Sequence, residues 1–322
     1  MNLDSRFKAA LGVASIAGLL GVLAIGGTAA PAGGATLPNC TIADNLEAII
    51  DDSGSMAGTD ADRFRVDMVN ILASLNPTKT MGGVEFGTDA VPLFFAKPIG
   101  PNLGVISSSL NAVQADNGGT DYEAGFNAAN AQNPSANARV FLSDGEPNSA
   151  PDPNVWKVPN IKTYVVGFGS VDPAVLNQIA ADTGGPAPFN VTSTAQLRTV
   201  AAIINARINC EPDPIQITKT LSRAGQVKGL SFRADGNTAQ IVTSWDPGSK
   251  IQVLGFTQGG GGHTSAIAQS AKKRGGKIKV KQTRGASYTV INLSHVHKGR
   301  VKFKIKAKKL AGRVTVATAI TP

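Results

Sequence analysis

An α/β domain built on a doubly wound, mostly parallel sheet, followed by an all-β sandwich, is the fold class this sequence predicts. Three observations predict it. Between residues 36 and 211, apolar runs of strand length alternate with stretches of helical periodicity. Short fragments rich in Asp, Ser, Thr and Gly follow several of those stretches, as loops at the carboxyl end of a parallel sheet would. Past Pro212-Asp213-Pro214 the helical pattern stops and short alternating segments take over. The expected organisation is therefore 1–35, 36–211 and 212–322, and 322 residues suffice for two domains with separate cores.

The first strand ends on Ile49-Ile50, and an amphipathic helix over Asp62–Leu75 carries Phe64, Met68, Ile71, Leu72 and Leu75 on one face until Pro77 ends it. Val84–Phe86 and Val91–Phe95 read as a strand pair joined at Gly87-Thr88-Asp89. Leu103–Ala115 and Asp121–Ala131 read as helices. Arg139–Leu142 and Ile161–Phe168 read as strands, the second apolar throughout as buried parallel strands are. Val171–Thr183 and Thr194–Ile208 complete the helices. Eight strands follow at Ile215–Leu221, Val227–Arg233, Ala239–Trp245, Lys250–Phe256, Lys277–Gln282, Tyr288–Leu293, Val301–Ile305 and Val314–Ile320, the spacing of a β-sandwich. Gly259–Gly262 reads as a flexible loop.

Three fragments carry the chemistry: Asp51-Asp52-Ser53-Gly54-Ser55, Gly118-Gly119-Thr120-Asp121 and Ser143-Asp144-Gly145-Glu146. The carboxylates of Asp51 and Asp144 and the hydroxyls of Ser53, Ser55 and Thr120 suit a hard cation, Mg²⁺ first and Mn²⁺ or Ca²⁺ after it. No His or Cys lies near them, which argues against zinc. Each fragment alone is equally readable as a turn or a helix N-cap, because Asp, Ser and Gly favour such positions. Asp52 and Glu146 stay outside the ligand set, as acidic neighbours that tune the site or face water. Together, and in this order, the three fragments resemble the metal-ion-dependent adhesion site of von Willebrand factor type A domains, over about residues 38–211. The resemblance implies a cation held by Ser53, Ser55 and Thr120 directly and by Asp51 and Asp144 directly or through water. One position would stay open for a partner's Asp or Glu carboxylate.

Arg6 and Lys8 precede an uncharged run from Ala9 to Ile25 and small residues after it, the layout of a signal peptide. Ala30-Pro31-Ala32 and Ala35 offer cleavage options, and an uncleaved anchor is the alternative. Either way the remainder is expected to be secreted or held at the cell surface. In an oxidising compartment Cys40 and Cys210, which bracket the first domain, are expected to form a disulfide. In related domains the last helix is thought to slide on ligand binding, and such a bridge would restrict that motion.

The net charge of +9 hides an asymmetry: residues 36–213 hold 9 basic and 19 acidic side chains, residues 214–322 hold 20 and 2. The basic half is expected to attract polyanions and the acidic half cations. In Lys277-Ile278-Lys279-Val280-Lys281 and Lys302-Phe303-Lys304-Ile305-Lys306, lysines alternate with apolar residues and so share a strand face. If the two strands are neighbours, they form one cationic surface, and edge protection or solvation is the competing reading. The few aromatics give no base-stacking platform, which disfavours sequence-specific nucleic-acid binding. His295-Val296-His297 places two imidazoles on one strand face, with His263 the only third, and is read as a solvated pair. Asn39, Asn190 and Asn292 begin glycosylation sequons. The acidic half has no His, and the chain has no Gly-x-Ser-x-Gly elbow, so no enzyme is expected. The expected function is an exported, metal-dependent ligand-binding or adhesion protein with a protein partner. A scaffold that binds anionic envelope polymers through its basic half is the alternative.

Overall fold

The computed structural model describes residues 40–169, 173–191, 194–258, 264–265 and 278–322. The signal or anchor segment, the Gly259–Gly262 loop, Lys277, His263 and the sequon at Asn39 lie outside them.

The chain opens with β1 (Asn45–Asp51), α1 (Met56–Thr59), α2 (Phe64–Leu75), β2 (Thr80–Phe86), β3 (Ala90–Pro98), α3 (Ile99–Leu110), α4 (Tyr122–Gln132) and β4 (Ala138–Ser143). Next come β5 (Lys162–Phe168), α5 (Pro173–Asp182), β6 (Phe189–Val191) and α6 (Thr194–Ile208). The six strands form one sheet in the order β3-β2-β1-β4-β5-β6, parallel except for the β2–β3 pair. Alternation along β1 assigns its two faces. Leu46, Ala48 and Ile50 join the core shared with α2, α3 and α6, while Ile49 joins the core under α4 and α5. The sheet is thus covered on both sides, as expected for a doubly wound fold.

The third helix begins at Ile99, earlier than its apolar spacing suggests, because Pro101 is tolerated in a first turn where no intrahelical donor is needed. The three-residue β6 gives no periodic signal and was not expected.

The remaining strands are β7 (Ile215–Leu221), β8 (Val227–Ala234), β9 (Thr238–Trp245), β10 (Lys250–Gln258), β11 (Thr264–Ser265), β12 (Lys279–Arg284), β13 (Tyr288–Ser294), β14 (Gly299–Lys309) and β15 (Val314–Thr321). They form two antiparallel sheets, β12-β13-β9-β15-β7 and β11-β10-β14-β8. Leu293, Ile241 and Val316 of the first face Val253, Phe303 and Ile305 of the second in a common core. The sandwich was legible; its outer layers were not. The lysine-bearing strands β12 and β14 lie in different sheets, so Lys279 and Lys281 do not form one surface with Lys302, Lys304 and Lys306. His295 and His297 sit in the turn after β13, where His295 has φ 60°, and not on a strand face.

The two halves are not independent bodies joined by a linker. The five-stranded sheet turns Val242, Tyr288, Val290 and Ala319 onto α2 and α6, where they belong to the same apolar cluster as Met68 and Ile204. For that reason α2, expected to be amphipathic, is buried on all sides except at Asp67. Arg198 of α6, 1 % exposed, fastens the contact. Its guanidinium donates to the Trp245 carbonyl (2.9 Å), to Ser287 Oγ (2.6 Å) and to Asp67 Oδ2 (3.0 Å), and it stacks 4.4 Å above the Phe64 ring. Amides add to it: Asn205 donates to Gln240, Gln240 to the Leu75 carbonyl and Asn292 to the Ser74 carbonyl.

Cys40 and Cys210 form the expected disulfide, which closes a loop with a sequence separation of 170. In the chain-entropy account such a loop is worth about 5 kcal/mol. Breaking the ionic contact is a separate matter: Arg198→Met should destabilise the chain by about 3 kcal/mol, since it leaves Asp67 and two buried acceptors without their donor. Denaturant melts of the two proteins, compared at equal m-value, measure it.

Candidate metal centre

Three loops meet at the carboxyl edge of the parallel sheet, and backbone hydrogen bonds zip them together. In the loop after β1, Asp52 N–H donates to the Phe86 carbonyl (2.7 Å) and Gly54 N–H to the Gly118 carbonyl (2.9 Å). The loop before α4 answers: Asn117 N–H donates to Asp52 O (3.0 Å) and Asp121 N–H to Gly87 O (2.7 Å). The loop after β4 is tied in by Asn148 N–H on the Thr120 carbonyl (2.9 Å). Glycine makes this approach possible at Gly87, where a Cβ would stand 1.9 Å from the Asn117 carbonyl oxygen. Gly118 is needed for its conformation, with φ +58°.

The five expected ligands come together at this point. Asp51 ends β1 fully buried; its Oδ1 accepts Ser53 N–H (2.8 Å) and its Oδ2 accepts Ser143 Oγ (2.5 Å). Ser53 and Ser55 hydroxyls lie 3.0 Å apart, and Ser55 Oγ donates to Asp144 Oδ1 (2.8 Å). A Cβ built on Gly145 would lie 3.5 Å from Thr120 Oγ1 and 3.7 Å from Ser55 Oγ, so those hydroxyls flank the same spot. Asp144 Oδ2 is buried with no hydrogen-bond partner. Ser55 and Gly54 are exposed, so the cluster opens to solvent on their side.

The electrostatics point the same way. Burial pushes the Asp51 carboxyl above its ordinary range; hydrogen bonds from Ser143 and Ser53 oppose that, and the nearby Asp144 charge adds to it. Two carboxylates this close and this dry need positive charge. Among the described residues no His, Cys or third carboxylate completes the group as an all-acidic cage, and a set of two carboxylates and three hydroxyls fits a hard divalent cation with open positions. Asp144 Oδ2 is the oxygen such an ion would satisfy first, and the Ser55 proton now on Asp144 would turn aside as its oxygen ligated.

Other residues of the three fragments do different work. Asp121 is the N-cap of α4, accepting Ala124 N–H (3.1 Å). Asp52 points away from the cluster to Arg65, itself fully buried between Asp52 (3.2 Å) and Asp60 (3.1 Å). Burial still pushes Asp52 up to about 6 against that guanidinium. Sequence reasoning missed Ser143 and Tyr122 as supports. The Tyr122 hydroxyl donates to the Gly145 carbonyl (2.8 Å) and lies 3.1 Å from Ser143 Oγ. Its ring is clamped edge-on between Phe86 and Phe141. The signal for Ser143 was its place directly before Asp144, on the strand beside Asp51.

Residues 45–202 match the family model of the von Willebrand factor type A domain. Solved structures similar to the chain include the proximal thread matrix protein 1 of the mussel byssus with a zinc-occupied MIDAS motif, at 19 % identity and TM-score 0.45, covering 58 % of this chain and 51 % of that one. A von Willebrand factor type A protein from Catenulispora acidiphila is similar at 13 % identity and TM-score 0.46, over 85 % and 64 % of the two chains. The pilus adhesin SpaC from Lactobacillus rhamnosus GG is similar at 10 % identity and TM-score 0.45, over 86 % and 40 %. The chain spans about half the length of the mussel proteins. No curated protein matches it.

Removing the support without touching a ligand gives a direct check on the geometry. Ser143→Ala takes the donor from Asp51 Oδ2 and should weaken Mn²⁺ binding roughly 10- to 100-fold, the usual cost of losing a group that orients a ligand. Titration calorimetry reads the change, and a far-ultraviolet spectrum identical to the parent shows that the sheet survives.

Proposed function

Residues 45–202 belong to the von Willebrand factor type A family, and from that premise we propose that the chain is an exported protein that binds a partner through a divalent cation at the three-loop centre. The observation that carries the reading is Asp144 Oδ2, buried and unpartnered amid three hydroxyls at a spot open to solvent along Ser55. Ser53, Ser55 and Thr120 would ligate the ion, Asp144 would balance its charge, and Asp51, with both oxygens already accepting, would hold it directly or through water. A bound cation supplies a Lewis-acidic position facing solvent, which a carboxylate of a protein partner would fill. The rest is positioning: zipped loops, Tyr122 and Ser143 keep the oxygen set in place before the ion arrives, so little reorganisation opposes binding.

The same reading puts the chain outside the cytoplasm, on the strength of the Cys40–Cys210 bridge and the basic-then-apolar run at residues 6–25. Among the described residues no helix is long and apolar enough to cross a membrane. The reading contains no catalytic step; the carboxylates that could serve as a general base are the ones assigned to the cation.

Mg²⁺ or Mn²⁺ should bind with one-to-one stoichiometry, and Asp144→Ala or Asp51→Ala should abolish the calorimetric signal. Zinc, the ion named for the mussel protein's motif, belongs in the same titration. A partner captured from envelope or host extract should be retained with Mg²⁺, released by chelator and absent with Asp144→Ala. Unchanged metal binding in both variants would sink the site; capture that ignores the chelator would sink the function.

A further inference from the structure

The charges of the sandwich form a pattern the metal centre does not use. Along β14, Val301, Phe303, Ile305 and Ala307 point into the core, so Arg300, Lys302, Lys304, Lys306 and Lys308 point out. At two residues per repeat these five cations stand about 7 Å apart, on a track about 27 Å long.

Edge protection does not account for them. The strand is central, hydrogen-bonded to β10 on one side and β8 on the other. Its neighbours on the outer face are uncharged where the lysines stand: Ser231 and Gly229 beside Lys302 and Lys304, Leu254 and Gln252 on the other side. At one end Arg300 stands directly opposite Arg233, a like-charge pair that costs stability. The whole of residues 214–322 has two carboxylates, Asp235 and Asp246, and Asp235 lies beside Arg233. Among the described residues none of the five cations makes an ion pair. Lys279 and Lys281 also face uncharged partners, Ser294 and Asn292, but differ in where they stand. They sit on the edge strand β12 and line a crevice of about 520 Å³ against the end of α2 and Glu211. For them edge protection is sufficient.

We propose that the outer face of β14 is a binding track for a linear phosphodiester polymer without bases, a polyol phosphate, lying along the strand. The chemistry selects the class. A row of lysines offers point charges to singly charged phosphates, without the bidentate forks that arginine brings to planar recognition. The outward positions of β8, β10 and β14 carry no aromatic side chain on which bases could stack. An extended polymer can meet five evenly spaced cations in register and releases a counterion at each. The four-stranded sheet lies on the far side of the five-stranded one from α2 and α6, so polymer and metal-held partner would be bound on different faces and independently.

The test uses the full chain, purified poly(glycerol phosphate) on a sensor surface, low salt and chelator throughout. Parent protein should bind, with affinity falling steeply as salt rises. The variant R300Q/K302Q/K304Q/K306Q should lose at least about tenfold, and its log–log salt slope should be shallower by about 3. Lys304→Glu alone should weaken binding severalfold, and K279Q/K281Q should bind as the parent does. Gln on an exposed strand face relieves repulsion, so the melting temperature of the fourfold variant should not fall. Three results overturn the proposal: a fourfold variant that binds like the parent, a β12 variant that loses as much, or tighter binding of oligothymidylate or heparin than of the polyol phosphate. Binding that appears only when Mg²⁺ replaces the chelator would likewise overturn it and assign the contact to the metal centre.

Discussion

Two carboxylates, Asp51 and Asp144, are buried side by side at the carboxyl edge of the sheet, and most of the surrounding structure answers the cost of putting them there. Asp51 Oδ2 takes its partner from Ser143 on the neighbouring strand and Asp144 Oδ1 from Ser55 in the first loop, so the loops cannot drift apart without stranding a charge. The aromatic cluster under α4 serves the same end, because it fixes Tyr122, whose hydroxyl holds the backbone that carries Asp144. Arg65 takes up the charge of Asp52 and so keeps a third carboxylate out of the cluster. The centre is preorganised because the polypeptide already satisfies Asp51 and one oxygen of Asp144, leaving only Asp144 Oδ2 of the two carboxylates unpartnered.

The sandwich solves a second burial problem. The last carbonyls of α2, at Ser74 and Leu75, are met by the side-chain amides of Asn292 and Gln240 from the β-sheet, and Asn76 and Asn205 extend the same network between α2 and α6 without charges. Such a contact needs specific register on both sides, and Arg198 supplies the one charged anchor. A mismatch would leave several buried amides unsatisfied, so the two halves fit in one arrangement.

Fold class and the meeting of the three fragments were legible because both rest on local signals: period-2 and period-3.6 patterning for the elements, and short Asp/Ser/Thr/Gly fragments at strand ends for the candidate site. What escaped depends on contacts between distant segments. Arg65 and Arg198 look like ordinary charges on a helix surface until Asp60 or the sandwich closes over them. Ser143 sat within a quoted motif, yet its role required knowing that β4 lies beside β1. The lysines of β14 alternate with core residues as the sequence suggests, but the division of the lysine repeats between a central and an edge strand is a matter of sheet order, which alternation within a single strand cannot encode.

The Cys40–Cys210 bridge also decides where a mechanical pull would go. It joins the stretch just before β1 to the residues just past the last helix of the first domain. Tension applied between the N-terminal segment and the sandwich would therefore pass through one covalent link and bypass the whole parallel sheet. The three loops of the candidate centre lie inside the bypassed stretch, so a chain held at both ends could be stretched without pulling those loops apart.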